Sequence, residues 1–472
     1  MVHRLASITL AGLVLLWLAT APAIAAPLDL DQLVGPGTKK SDTKFPELEQ
    51  AWDEFRAGDM SDTIARLVEA VNKYPILPPP RLLLAKMMLS SNRVPEAREQ
   101  LEITVSEYPL APEPYLELGD LAYRDRRMTE AGLLFEKAQA LLDKFEVTED
   151  PVKYGTEGNQ GQRGPNSRYH NAARRCRAGL AAVAEAHKDW AAARKQLEEW
   201  IKLAPEDAAA HYRLGVALFW LKQYKKANTS LEKAHELDDR LMPAAVVMGS
   251  LYEKSGNRDK ASEWMKYAVQ KSPNDVRTRL GMARWLWQTG QLEEADKNAK
   301  QALKLDSQSL DAKIMCGMIA RYLRKNDEAE KFFEEASQQS PSNFTARNEL
   351  VLTLIDSDNA DKRRRALELA ELNIRVFPKN PKSFASLGWA YYHQDRLTDA
   401  RRGLARASQL GPIGSETAFY MAKVASDQGR NAEAVRILDK ALSYDGPFLY
   451  REEARALQDT LKKKLQSGTA TE

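Results

Sequence analysis

The sequence predicts an all-α solenoid of about eleven helix–turn–helix units with a C-terminal capping helix, because three columns of residues repeat in one register. A small residue recurs every 34 positions at Ala193, Ala227, Ala261, Ala295 and Ala329. It resumes after a three-residue slip at Ala366, Ala400 and Ala434, and before a gap it reads Thr63, Ala97 and Ala131. A dipeptide of Leu-Gly type lies upstream in the same phase, at Leu118-Gly119, Leu214-Gly215, Met248-Gly249, Cys316-Gly317 and Leu387-Gly388. Proline closes the unit at Pro75, Pro109, Pro205, Pro273, Pro341 and Pro378, where it ends a helix and restricts the residue before it. Gly or Ala at the crossing lets two helices approach closely, while Leu and aromatic side chains fill the space around the contact. One unit cannot bury its apolar face alone, so neighbours must stack.

Along the chain, His3 and Arg4 precede an apolar run from Leu5 to Thr20, followed by the small-x-small pattern Ala23-Ile24-Ala25. Residues 1–25 therefore read as a cleaved export signal, with an uncleaved anchor as the alternative. A linker over 26–43 leads into three units at 44–142, an inserted loop at 143–171, eight further units at 172–445 and a cap with tail at 446–472. In the cap, Phe448, Leu449, Ala454 and Leu457 are expected inward, with Arg451, Glu452, Glu453 and the lysines 462–464 outward. The insert is loop chemistry: Pro151, Gly155, Gly158, Gly161, Gly164 and Pro165. It reads either as a spacer between sub-arrays or as a segment that folds over a groove or contacts a partner. No stretch outside the repeats is long enough for an appended catalytic domain.

These columns resemble the tetratricopeptide repeat. Tyr115, Leu118, Gly119, Ala131, Phe135 and Ala138 fit its signature in one unit, and Phe384, Leu387, Gly388, Tyr391, Ala400, Leu404 and Ala407 in another. Two units depart from it, with Ala283 and Val351 where glycine is expected. The stretch from Asp356 to Lys362, which carries the slip, is expected to form a longer loop. The resemblance implies a right-handed superhelix whose concave face holds an extended peptide or a partner helix.

Charge and composition exclude several classes. The 69 Lys and Arg against 66 Asp and Glu leave +3, so no bulk field favours nucleic acid, and Lys362–Arg365 and Arg401-Arg402 read as exposed helix and turn faces. The six histidines are not paired at metal-ligand spacing, no cofactor fingerprint is present, and Ser230-Leu231-Glu232-Lys233 lacks the companions of a Ser-x-x-Lys enzyme. Cys176 and Cys316, four units apart, read as small core hydrophobes rather than a disulfide.

One surface stands out by helical phase. A stripe one residue beyond the Leu-Gly column faces the concave side of each first helix. It reads Tyr212, Val216, Phe219; Leu280, Arg284, Trp287; Ile314, Met318, Arg321 with Tyr322; Asn348, Leu352, Ile355; and Trp389, Tyr392. These side chains either anchor a partner or pack against the next first helix, and Arg284 and Arg321 are the sharper candidates because a guanidinium needs a carboxylate to enter an apolar contact. The Lys and Asn pattern with which some relatives clamp a C-terminal carboxylate is missing. The expected function is a non-catalytic scaffold of the periplasm or cell envelope that binds a protein or peptide, without cofactor, metal or nucleic acid. The alternative is a structural or assembly subunit of a membrane-associated envelope complex that uses its convex or edge surfaces.

Overall fold

The computed structural model describes residues 45–74, 77–144 and 165–468. Among these residues it contains 23 helices and no strand. The expected export signal and linker, Pro75, and the insert glycines lie outside the described residues. The chain divides into two compact units, Met1–Leu241 and Met242–Glu472.

The first unit holds five helix pairs: α1 (Pro46–Ala57) and α2 (Met60–Lys73), α3 (Pro80–Ser90) and α4 (Val94–Glu107), α5 (Glu113–Arg124) and α6 (Met128–Leu142), α7 (Pro165–Ala186) and α8 (Trp190–Leu203), α9 (Ala208–Trp220) and α10 (Tyr224–Leu237). The second holds six: α11 (Ala244–Lys254) and α12 (Arg258–Lys271), α13 (Val276–Gln288) and α14 (Leu292–Leu305), α15 (Leu310–Tyr322) and α16 (Asn326–Gln339), α17 (Phe344–Ile355) and α18 (Ala360–Val376), α19 (Pro381–Tyr392) and α20 (Leu397–Leu410), α21 (Ser415–Asp427) and α22 (Asn431–Leu442). The terminal α23 (Arg451–Gly468) packs on α22. Within each unit the second helix of a pair also packs on the first helix of the next pair. In the second unit the first helices α11, α13, α15, α17, α19 and α21 touch one another in succession, which makes them the inner layer of the stack.

The 34-residue column is the packing seam. All eleven of its side chains, from Thr63 to Ala434, are 0% exposed. Across from it, the glycines mark the closest approach: a Cβ built on Gly119 would stand 2.7 Å from the Phe135 ring of its own pair, and one on Gly317 2.8 Å from Phe333. At α13, where Ala283 takes the seam position, the tight contact moves to Gly281, whose Cβ would meet Val246 of α11 at 2.3 Å. Ten of the eleven pairs turn through a residue at positive φ, six of them non-glycine: Asn92, Arg126, Lys188, Lys222, Arg324 and Asp395. In each such turn the next N–H reaches back to the first helix, as Lys325 does to the Ala320 carbonyl at 2.9 Å, and so satisfies a helix-end acceptor.

Three expectations change. The slip at 356–362 is taken up mainly by helix: the turn spans only 356–359, α18 begins at Ala360, capped by the Asn359 side chain, and it runs 17 residues instead of the 14 of α16. Its charged run is held in the helix by ion pairs from Lys362 to Asp327 and Glu330 and from Arg365 to Glu334. The stretch read as an inserted loop is helical from Pro165, and α6 and α7 pack directly, with Gly179 of α7 against Phe135 of α6, so the stack continues across it. In the cap, Phe448, Leu449, Ala454 and Leu461 are buried and Leu457 is half-buried. Arg451 turns back to donate to the carbonyls of Tyr444 and Gly446 instead of facing solvent. Among the described residues, no helix is long and apolar enough to cross a membrane.

Candidate functional site

Helical phase puts the predicted stripe on the first helices of each unit, with Tyr212, Val216 and Phe219 in the first and the rest in the second, and in each it divides in two. Phe219, Leu280, Arg321, Asn348 and Trp389 are buried, as are Ile314, Leu352 and Ile355. Tyr212, Val216, Arg284, Trp287, Met318, Tyr322 and Tyr392 are half-buried. The first group packs between successive first helices, and the second forms a wall.

Arg321 is not free to meet a partner. Its side chain is 2% exposed and its guanidinium is filled from within: Glu349 at 3.2 Å, Asp356 and Glu416 at 3.3 Å each, and the Tyr450 hydroxyl at 3.3 Å. Burial opposes its charge, but the attraction of Glu416, Tyr450, Asp356 and Glu349 outweighs burial and holds it firmly protonated. Glu349 goes the other way: burial lifts its carboxyl above the ordinary value despite Arg321. Around this hub, Tyr322 donates to Glu416 at 3.0 Å and Tyr450 donates to Asp356. Trp389 stacks between Tyr392 at 4.8 Å and Tyr420 at 4.3 Å, and Phe419 stacks on Tyr450 at 5.0 Å. Asn348 accepts from Ser386 at 2.8 Å, and Tyr392 donates to Asp427 at 2.6 Å. The inner wall from α17 to the segment before α23, together with Arg321 and Tyr322 at the end of α15, is therefore occupied by its own side chains.

Two of the hub's partners were legible and two were not. Glu349 and Asp356 lie one repeat beyond Arg321, so the register already brings them near. Glu416 and Tyr450 lie 95 and 129 residues on, and only the curvature of the stack brings them in.

Arg284 presents the contrary case. It forms no hydrogen bond or ion pair with any described residue; burial lowers its pKa, and Asp311, beyond ion-pair distance, only partly offsets this. One turn away, Trp287 meets Tyr322 edge to face at 5.3 Å, and its buried Nε1–H finds no acceptor among the described residues. In the first unit the wall arginines are filled, like Arg321. Arg175 of α7 reaches Glu117 at 2.9 Å and Asp120 at 2.7 Å on α5, and Arg213 of α9 reaches Glu185 at 3.0 Å on α7. Beside them, Phe219 meets Trp220 edge to face at 5.5 Å, and burial makes the half-buried Tyr212 harder to ionise.

The remaining polar chemistry is structural. Burial pushes the thiols of Cys176 and Cys316 up to about 12, which removes thiolate reactivity, and Cys176 donates to the Phe135 carbonyl at 3.2 Å. Among the described residues no group of His, Cys, Asp or Glu is placed to hold a metal ion.

Comparison with known proteins bears on the repeats. Models of the tetratricopeptide repeat match residues 82–144, 208–241 and 276–309. The chain is 25% identical over 228 residues to a protein O-mannosyl-transferase of Homo sapiens, covering 47% of this chain and 25% of that protein. It is 29% identical over 210 residues to a TPR repeat-containing protein of Pseudomonas aeruginosa, covering 43% of this chain and 34% of that one, and 25% identical over 223 residues to anaphase-promoting complex subunit 7 of Dictyostelium discoideum, covering 47% and 38%. The chain thus spans between 25% and 38% of the length of these relatives. Among solved structures, yeast Tom70 aligns with a TM-score of 0.38 at 15% identity, over 89% of this chain and 96% of that one, and the APC/C hetero-tetramer Cut9–Hcn1 with 0.38 at 11%, over 85% and 87%. The matched segments take in the α5–α6, α9–α10 and α13–α14 pairs whole, and the chain carries tetratricopeptide repeats.

Proposed function

We propose that the protein is a non-catalytic scaffold that holds another protein through the inner walls that the first helices form within its units. The observation that carries this reading is the separation of two faces on the same helices. The Ala and Gly columns are consumed by packing, while Tyr212, Val216, Arg284, Trp287 and Met318 remain half-exposed on the other face. Aromatic side chains and arginine on a rigid curved support are the residue types that anchor interfaces. The apolar run and Ala23-Ile24-Ala25 pattern support action in the periplasm or cell envelope after export.

A second reading places docking on the outer helices, in a membrane-associated envelope assembly. It is favoured by Leu372 and Val376, one turn apart on α18 and 43% and 47% exposed. Photo-crosslinking residues placed singly at Tyr212, Met318 and Leu372 in the native cell separate the two. Adducts at Tyr212 or Met318 are expected; adducts confined to Leu372 would transfer the function to the outer face.

A further inference from the structure

Five arginines on the first helices illustrate how this protein treats a cation on its wall. Arg175, Arg213 and Arg321 each hold at least one carboxylate of their own chain within 3.3 Å. On α13 the rule breaks twice. Arg277 and Arg284 form no hydrogen bond or ion pair with any described residue, and both draw on the same distant carboxylate, Asp311 of α15. They are seven residues apart, two helical turns, which places them on one face about 10 Å apart along the axis. Trp287 lies on that face too, with an indole N–H that finds no acceptor. Lys254, exposed on the adjoining α11, has no ion pair among the described residues.

All these groups are donors, so what completes them must bring acceptors and negative charge. We propose that the α13 face is the docking point for an extended acidic segment of a partner protein, with two side-chain carboxylates about three residues apart engaging Arg277 and Arg284. A chain in the polyproline II conformation has three residues per turn and advances about 3.1 Å per residue, so side chains three positions apart share one face about 9 Å apart, close to the two helical turns between Arg277 and Arg284. The Trp287 N–H takes a backbone carbonyl or a third carboxylate of the same segment. A carboxylate forks onto guanidinium more strongly than a neutral acceptor, and it removes the cost of holding Arg284 half-desolvated and unpaired. The segment is defined by side-chain charge, so it need not end in a free carboxylate. This inference rests on the inner-wall reading above and gives the occupant its chemistry.

The test is selection of random dodecapeptides displayed on phage against the full-length protein, followed by affinity measurements on synthetic copies of the recovered peptides. Recovered sequences are expected to carry two Asp or Glu residues about three positions apart beside an apolar residue. Arg277→Gln and Arg284→Gln are each expected to weaken their binding about tenfold or more with the unfolding midpoint unchanged. Recovery of neutral or basic peptides that still lose affinity on Trp287→Phe would overturn the acidic occupant and leave the wall as a docking surface. Peptides bound equally by the wild type and Arg284→Gln would overturn the site. Recovery of none that crosslinks to the inner wall would overturn the wall reading as well. A single-stranded oligonucleotide probe that binds with the same arginine dependence would replace the acidic peptide by a phosphate backbone.

Discussion

Arg284 and Arg321 lie on adjoining first helices of the same unit, in the same inner stripe, and meet opposite fates. Arg321 is enclosed by three carboxylates and a tyrosine drawn from α17 and the turn after it, α21 and the segment before α23. Arg284, one helix earlier, has only a distant Asp311. The stack bends so that α15 faces α21 across its interior, and an acid three pairs away, Glu416, reaches Arg321. The same residue type thus serves as an internal clamp in one place and an unfilled donor in the other. Exposure and pairing, rather than residue type, decide which arginine can serve a partner.

The largest effect should come from removing the clamp. Arg321→Met leaves Glu349, Asp356 and Glu416 facing one another without a cation, and is expected to cost about 3–5 kcal/mol in urea unfolding of the full chain. Hydrogen exchange should show the amide of Ala454, which donates to the Tyr450 carbonyl at 2.8 Å, losing protection in the same variant. An unchanged midpoint would mean that the hub carries no weight and the contrast is only geometric.

Gly281→Ala tests how the α13 wall is placed. Its new methyl would meet Val246 at 2.3 Å, so α13 must shift from α11, with an expected loss of about 1–3 kcal/mol. Binding at Arg284 should weaken while the Ala454 amide, bonded to the Tyr450 carbonyl, keeps its exchange protection.

Acid should separate the two units by sign. Glu349 is raised, first by burial, so the folded chain holds that proton to higher pH than the unfolded chain. Its contribution to stability is therefore greatest in acid and declines as pH rises through the folded pKa. Burial pushes Glu117 up as well, but Arg175 outweighs burial and leaves it lowered; its contribution is present above the ordinary carboxylate range and is lost as pH falls. Stability measured against pH should flatten in opposite directions for Glu349→Gln and Glu117→Gln. Slopes of the same sign would contradict the assigned pairing.

The smallest effect belongs to Arg284→Gln, which breaks no bond within the chain and should change stability by less than about 0.5 kcal/mol. A loss comparable to that of Arg321→Met would show that Arg284 is internally paired after all and end the contrast.

Much of the architecture could be read before any coordinate. Thr63, Ala97 and the nine alanines that follow mark a seam in which any larger side chain would collide, and their spacing alone names the eleven pairs. The turn at 356–362 was not readable, because a slip of three residues fits a loop or a lengthened helix equally well. Asn359 as a cap, with the Lys362 and Arg365 ion pairs, starts the helix at Ala360 and leaves only 356–359 as turn. The wall was half-legible: helical phase found the face, but not which members of it the chain keeps for itself.

The boundary between these two kinds of knowledge is one of range. Helix pairing and the small-residue crossing depend on neighbours within about one repeat, so the order and spacing of residues dictate them. Whether a wall arginine is satisfied depends on Glu416 and Tyr450 arriving from several repeats away, and that is set by the accumulated rotation of every intervening pair. No local pattern records such a sum, which is why Arg284 and Arg321 look alike in the chain and differ in the fold.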